Sequence, residues 1–165
     1  MRRVVATIVA PFYVIAAACA IHPNQNMQPA AAVSPAETLA YLQQRLVGWS
    51  WHSDIGASTY QAVTLNSCLL TITQKVIRHD GTHFLHHEYP LKELAETEWF
   101  PGLLPAGSLQ VVGKGVRLRW NSEAAAQYTN VDYLELPPEY GERIAKAVNH
   151  LSKRCVGPPD DDPFK

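Results

Sequence analysis

The chain has 165 residues, a mass of 18.3 kDa, a formal net charge of −1 and a sequence pI near 6.6. Hydrophobic residues make up 47% and charged residues 18%, which suits one packed core and excludes wholesale disorder. The near-neutral balance argues against a dedicated nucleic-acid binder, and three cysteines exclude a dense disulfide scaffold while leaving room for one bridge.

Arg2 and Arg3 precede an apolar run from Val4 to Ala18, closed by the small residues Ala16, Ala17, Ala18, Cys19 and Ala20. Charge, apolar run and small residues in that order predict a secretory signal peptide over residues 1–18. Ile15-Ala16-Ala17-Ala18-Cys19 looks like a bacterial lipoprotein box, with Ala16 where leucine is usual. That likeness implies cleavage before Cys19 and a lipid, palmitate included, on its sulfur. Two other outcomes compete. Ala18-Cys19-Ala20 also satisfies the small-x-small rule, which would give a soluble periplasmic or secreted protein. An uncleaved anchor is the third, although Pro11 interrupts the run and its length falls short of ~30 Å of hydrocarbon. The twin-arginine reading lacks its hydrophobic flanking pattern. The expected location is the cell envelope, lipid-anchored on the periplasmic face of the outer membrane.

With lipid on Cys19, the remaining Cys68 and Cys155 form an even pair in an oxidising compartment, the condition for one structural disulfide. Two buried free thiols are the competing reading.

Residues 19–33 read as anchor and tether. Ile21 to Val33 is rich in Pro, Asn, Gln and Ala, and as a flexible coil spans on the order of 20 Å. A domain is expected over residues 34–157. Ser34-Pro35-Ala36-Glu37 carries the capping-box residues with proline at the first helical position, and Leu39, Leu42 and Leu46 follow at helical spacing before Gly48. Trp49 and Trp51, two apart, suit core or rim packing. Strands are then expected over Tyr60–Leu65, after which Asn66-Ser67 breaks the chain, and over Cys68–His79. Asp80-Gly81 is a tight-hairpin signal, and Thr82–Tyr89 returns.

Pro90 to Gly107, with its prolines and glycines, reads as a connecting segment anchored by Leu91 and Leu94. Leu109–Val112 and Val116–Trp120 flank Gly113-Lys114-Gly115 as a second hairpin, Val116, Leu118 and Trp120 alternating with Arg117 and Arg119. Tyr128–Leu136 is a last strand. Pro137-Pro138 opens a closing helix with Tyr140, Ile144, Ala147, Val148, Leu151 and Cys155 on one stripe. Residues 158–165 form an acidic tail. These elements predict an α+β fold: one bent antiparallel sheet or open barrel, capped by the C-terminal helix, with the N-terminal helix packed outside.

His79, His83, His86, His87 and Glu88 invite a metal reading. With Asp80-Gly81 as the loop, however, Lys75 faces His86 and Gln74 faces His87. His83 and His87 then lie roughly 13 Å apart along one face, too far to share an ion. A polar hairpin surface explains them, and no metal or cofactor is expected. Neither a nucleophile elbow, nor H-E-x-x-H, nor a phosphate-cradling glycine loop occurs. Glu96/Glu98 and Asp132/Glu135 are ordinary for loops and strands. Arg117 and Arg119 suit an anionic ligand, or simply an exposed strand face.

Cys-Leu-Leu-Thr-Ile (68–72), Tyr-Pro-Leu-Lys-Glu-Leu (89–94) and the closing segment from Arg143 to Cys155 resemble bacterial envelope lipoproteins with a pleckstrin-homology-like β-domain. The likeness spans roughly Ser34 to Gly157. It implies a bonded pair of strand and helix cysteines, a binding scaffold, and no catalytic residues.

The expected function is a non-enzymatic, lipid-anchored envelope protein whose domain binds another protein, for instance as a periplasmic inhibitor or immunity protein. A small-molecule or lipid carrier using the bent sheet as a cup is the alternative, and an enzyme with a non-contiguous site the third. In the expected register Leu70, Ile72 and Val76 share a core face with Leu85 and Tyr89. The other face carries Ile77 opposite Phe84, rimmed by Lys75, His79 and His86. That face is the expected partner surface, with the histidines lending it pH sensitivity.

Overall fold

The computed structural model describes residues 33–53, 56–102, 106–121 and 125–156, all within one compact unit. The signal segment, Cys19, most of the tether and the acidic tail lie outside the described residues. Helix α1 spans Pro35–Leu46, and the Ser34 hydroxyl accepts the Glu37 N–H while the Glu37 carboxylate accepts the Ser34 N–H. The sheet follows: β1 (Ser50–Ser53), β2 (Gly56–Asn66), β3 (Leu69–Arg78), β4 (Gly81–Pro90), β5 (Leu94–Phe100), β6 (Ser108–Trp120) and β7 (Gln127–Glu135). Helix α2, Gly141–Val156, closes the fold. Among the described residues no helix is long and apolar enough to cross a membrane.

All strand pairs are antiparallel, and β6 is the spine. One edge of β6 pairs β7, so its other edge must serve both β4, at residues 117–120, and β5, at residues 108–113. A 3-10 turn at Leu91–Glu93 bends the chain between those two strands. Register shifts at Tyr60/Ala62, Leu94/Glu96 and Val112/Val116 add the local twist that curls a sheet. The curl brings β2 across to β7, where the Tyr60 hydroxyl donates to the Glu135 carbonyl at 2.9 Å.

The concave side is filled. Tyr60, Leu70, Ile72, Tyr89, Leu109 and Leu134 are each at most 1% exposed, and Ile144, Val148 and Leu151 of α2 join the same cluster. Leu42 and Leu46 bring α1 into it, and Gln43 Nε2 donates to the Val63 carbonyl at 2.9 Å. Helix α2 is tied down by Asn149 to Thr97 O, by Ser152 to Leu91 O, and by a disulfide from Cys155 to Cys68. The fold is thus the expected α+β arrangement, one curled antiparallel sheet with one helix before its strands and one after them among the described residues.

Five local expectations are corrected. The segment from Pro90 to Gly107 contains strand β5, which forms because the free edge of β6 offers it a ladder. Gly113-Lys114-Gly115 is no turn but a bend inside one 13-residue strand, where a Cβ on Gly113 would crowd Leu94 Cδ2 at 2.8 Å and Glu93 O at 2.9 Å. Cys68 sits in the β2–β3 turn with Ser67, at φ of 64° and 44°, instead of opening β3. Helix α2 starts at Gly141, after a turn that follows Pro137. Finally, Arg78 pairs Gly81, so the β3–β4 loop is His79-Asp80. A type I′ turn at Asp80-Gly81 needs positive φ at both residues; Gly81 has it and Asp80 does not. The Asp80 carboxylate instead meets His83 Nε2 at 3.0 Å.

Candidate functional site

The shift at the β3–β4 loop moves every pairing by two residues and preserves the parity of both strands, so the alternation of faces holds. Leu70, Ile72, Val76, Leu85 and Tyr89 are buried, as the alternation predicts. Ile77 faces Thr82 and Phe84 faces Lys75, so the apolar pair is diagonal on the outer face instead of directly opposed. Diagonal neighbours remain within reach of an aromatic side chain. Ile77 is 48% exposed, Phe84 and Lys75 are half-buried, and His79 is exposed at the turn. His86 is half-buried and meets Thr73 Oγ1 at 3.1 Å through Nδ1. Burial, with the Arg119 charge adding to it, holds the His86 ring below the usual histidine range.

His87 departs from the expected polar hairpin surface, because odd positions of β4 point inward and it is 4% exposed. There it joins a chain of polar groups. The His87 ring sits 2.7 Å through Nδ1 from Asp132 Oδ2 and 2.9 Å through Nε2 from Gln74 Oε1. Gln74 Nε2 donates to Ser58 Oγ at 3.0 Å, and the Tyr89 hydroxyl donates to Asp132 Oδ2 at 2.6 Å. The amide of Gln74 can turn over and the Ser58 hydroxyl can donate or accept, so the chain can serve the ring as donor or acceptor. Burial pushes the Asp132 carboxyl up, but the His87 ring and the hydrogen bonds from His87, Tyr89 and the Tyr133 N–H outweigh it, holding the group below its ordinary range. Tyr89 is driven well above the usual tyrosine range, first by burial and then by the Asp132 charge.

This chain links serine, histidine and aspartate without forming a catalytic relay. Gln74 stands between Ser58 and His87, and the groups are buried within the core face. Its members satisfy one another, the arrangement that makes a buried polar network stabilising. Sequence reasoning passed over Asp132; the signal available was a lone acid on the inward parity of a strand, facing a histidine of like parity. Among the described residues no group of three or more His, Cys, Asp or Glu can hold a metal ion.

On the outer face Glu88 is only 8% exposed, held between Arg117 Nη2 and Arg119 Nη2, each at 3.1 Å. The two arginines read from the strand alternation are therefore an ion-paired cluster. Comparison with protein-family models finds no match, nor does comparison with curated proteins or with solved structures.

Proposed function

We propose that this is a non-enzymatic, lipid-anchored envelope protein whose curled sheet binds another protein through the outer face of β3 and β4. The observation that carries the reading is the exposed Ile77 beside Phe84 on an otherwise polar face, edged by Lys75, His79 and His86. Small apolar anchors inside a polar rim are the usual energetic centre of a protein interface. The disulfide suits an oxidising compartment and so supports export. Attachment through Cys19 would place the domain at the membrane, with a periplasmic inhibitor or immunity role as one form of the partnership. The carrier alternative has less support, because the concave side that would serve as its cup is occupied by fully buried side chains such as Tyr60, Tyr89 and Leu134.

Affinity capture from envelope extract followed by mass spectrometry tests the reading. The wild-type chain is expected to retain a partner protein, and Phe84→Ala to retain much less of it while melting within a few degrees of wild type. No retained protein above a mock control would overturn the reading. A large drop in melting temperature for Phe84→Ala would place that ring in the core and remove this face from the interface.

A further inference from the structure

The outer face does not stop at the hairpin. Antiparallel register continues it onto β6 and β7, setting Thr73, His86 and Arg119 in one row. The next row holds Thr71, Glu88, Arg117 and Tyr128. Lys75 and Phe84 lie in the row before these, toward the hairpin tip. Glu88 is the sole carboxylate among the described residues of these rows. One carboxylate against two guanidiniums leaves an excess of positive charge, and Lys75 adds to it.

Geometry keeps that charge presentable. Glu88 engages Nε and Nη2 of Arg119, at 3.2 and 3.1 Å, and Nη2 of Arg117 at 3.1 Å. Each guanidinium carries five N–H donors, so several remain for an incoming acceptor. The arginine side chains are 45% and 34% exposed, whereas Glu88 lies beneath them. A buried acid that fixes two exposed forks lowers the entropy lost when those forks bind something else. Next to Arg117, Tyr128 is 72% exposed, and both line a shallow depression of about 400 Å³ with Pro90, Gly115, Lys114 and one acid, Glu93, whose charge the Lys114 and Arg117 cations outnumber.

We infer that this face docks a carboxylate-rich segment of a protein partner, with Arg117, Arg119 and Lys75 taking the acids and Phe84 and Tyr128 the apolar surface between them. The inference rests on the protein-binding reading above and names the chemistry of its partner. Paired guanidinium forks match carboxylates bidentately. The near-neutral net charge of the whole chain does not favour nucleic acid, where affinity comes mainly from many phosphate contacts.

Fluorescence anisotropy with labelled poly-L-glutamate is the test, run near physiological salt beside single-stranded DNA and phosphatidylglycerol vesicles. Removing the arginines alone would strand Glu88, so one variant is Glu88→Gln, Arg117→Gln, Arg119→Gln together, and a second is Lys75→Glu with Tyr128→Ala. Both are expected to bind poly-glutamate at least about tenfold more weakly than wild type. Unchanged affinity in both, or tighter binding to DNA or vesicles than to poly-glutamate, would overturn the inference. Capture from envelope extract separates the two levels. A partner retained equally by wild type and the triple variant overturns the acidic docking face and leaves the protein-binding reading standing. Poly-glutamate binding by a chain that retains no envelope protein supports the carboxylate site and overturns that reading.

Discussion

His87 and Asp132, 45 residues apart in sequence, meet at 2.7 Å inside the curl. Both β4 and β7 flank β6, so this contact reaches across the spine strand on its concave side. Gln74 and Ser58 extend the connection to β3 and β2, and the same hydrogen-bond chain ties four strands of one sheet together.

Acid should loosen that tie. The folded chain holds a proton on Asp132 more weakly than the unfolded chain does, because its pKa is lowered. Its stabilisation is full above the unfolded value of ~3.9 and is lost as pH falls through the lower folded value. Asp132→Asn should remove this part of the acid dependence and cost about 1.5–3 kcal/mol at neutral pH, since it takes the charged acceptor out of a buried hydrogen-bond network. Thermal melts from neutral to strongly acid pH check both. Equal acid slopes for the variant and wild type would take Asp132 out of the acid response.

Joining Cys68 to Cys155 closes a loop across a sequence separation of 87 and anchors the last turn of α2 beside the β2–β3 turn. Reduction, or Cys155→Ser, should lower stability by roughly 2–4 kcal/mol through the freedom regained by the unfolded chain. Alkylation of the unfolded, unreduced protein should label neither of these thiols. Labelling of both would contradict the bridge.

Two glycines approach Trp99 closely, and a Cβ on either Gly107 or Gly141 would overlap its indole. Gly141 also begins α2, so the close approach seats that helix on β5. Gly141→Ala should destabilise by about 1–3 kcal/mol, by overpacking. The double variant Gly141→Ala, Trp99→Leu should recover part of the loss. Urea melts measure both, and a neutral single variant would show that the indole moves aside at no cost.

The proposed lipid attachment at Cys19 predicts incorporation of a radioactive fatty acid into the wild-type chain and none into Cys19→Ser. Equal labelling of the two would end the lipoprotein assignment and leave a secreted or anchored protein.

Local chemistry was readable where it decides the structure by itself. Ser34-Pro35-Ala36-Glu37 sets a capping box from neighbouring atoms alone, and α1 starts there. Alternation along β3 and β4 also announced the core face correctly, although the pairing expected from Asp80-Gly81 is off by two residues. A shift of two preserves parity, so faces survive an error that contacts do not. The Cys68–Cys155 pair was expected for a different reason, a conditional one: with Cys19 set aside for lipid and the chain exported, the two remaining thiols would be an even pair, whatever the geometry.

What tertiary structure alone decided are the features that need two distant segments at once. Strand β5 exists because β6 presents an edge to it, while its own sequence, between prolines and glycines, carries little strand signal. Gly113 and Gly115 look locally like a turn, yet Leu94 and Glu93 press against Gly113 and the strand runs through. The His87–Asp132 pair and the Arg117–Glu88–Arg119 cluster are likewise invisible one residue at a time. Sequence periodicity specifies the direction in which a side chain points; which side chain waits there depends on strand order, register and curl, which are properties of the whole sheet.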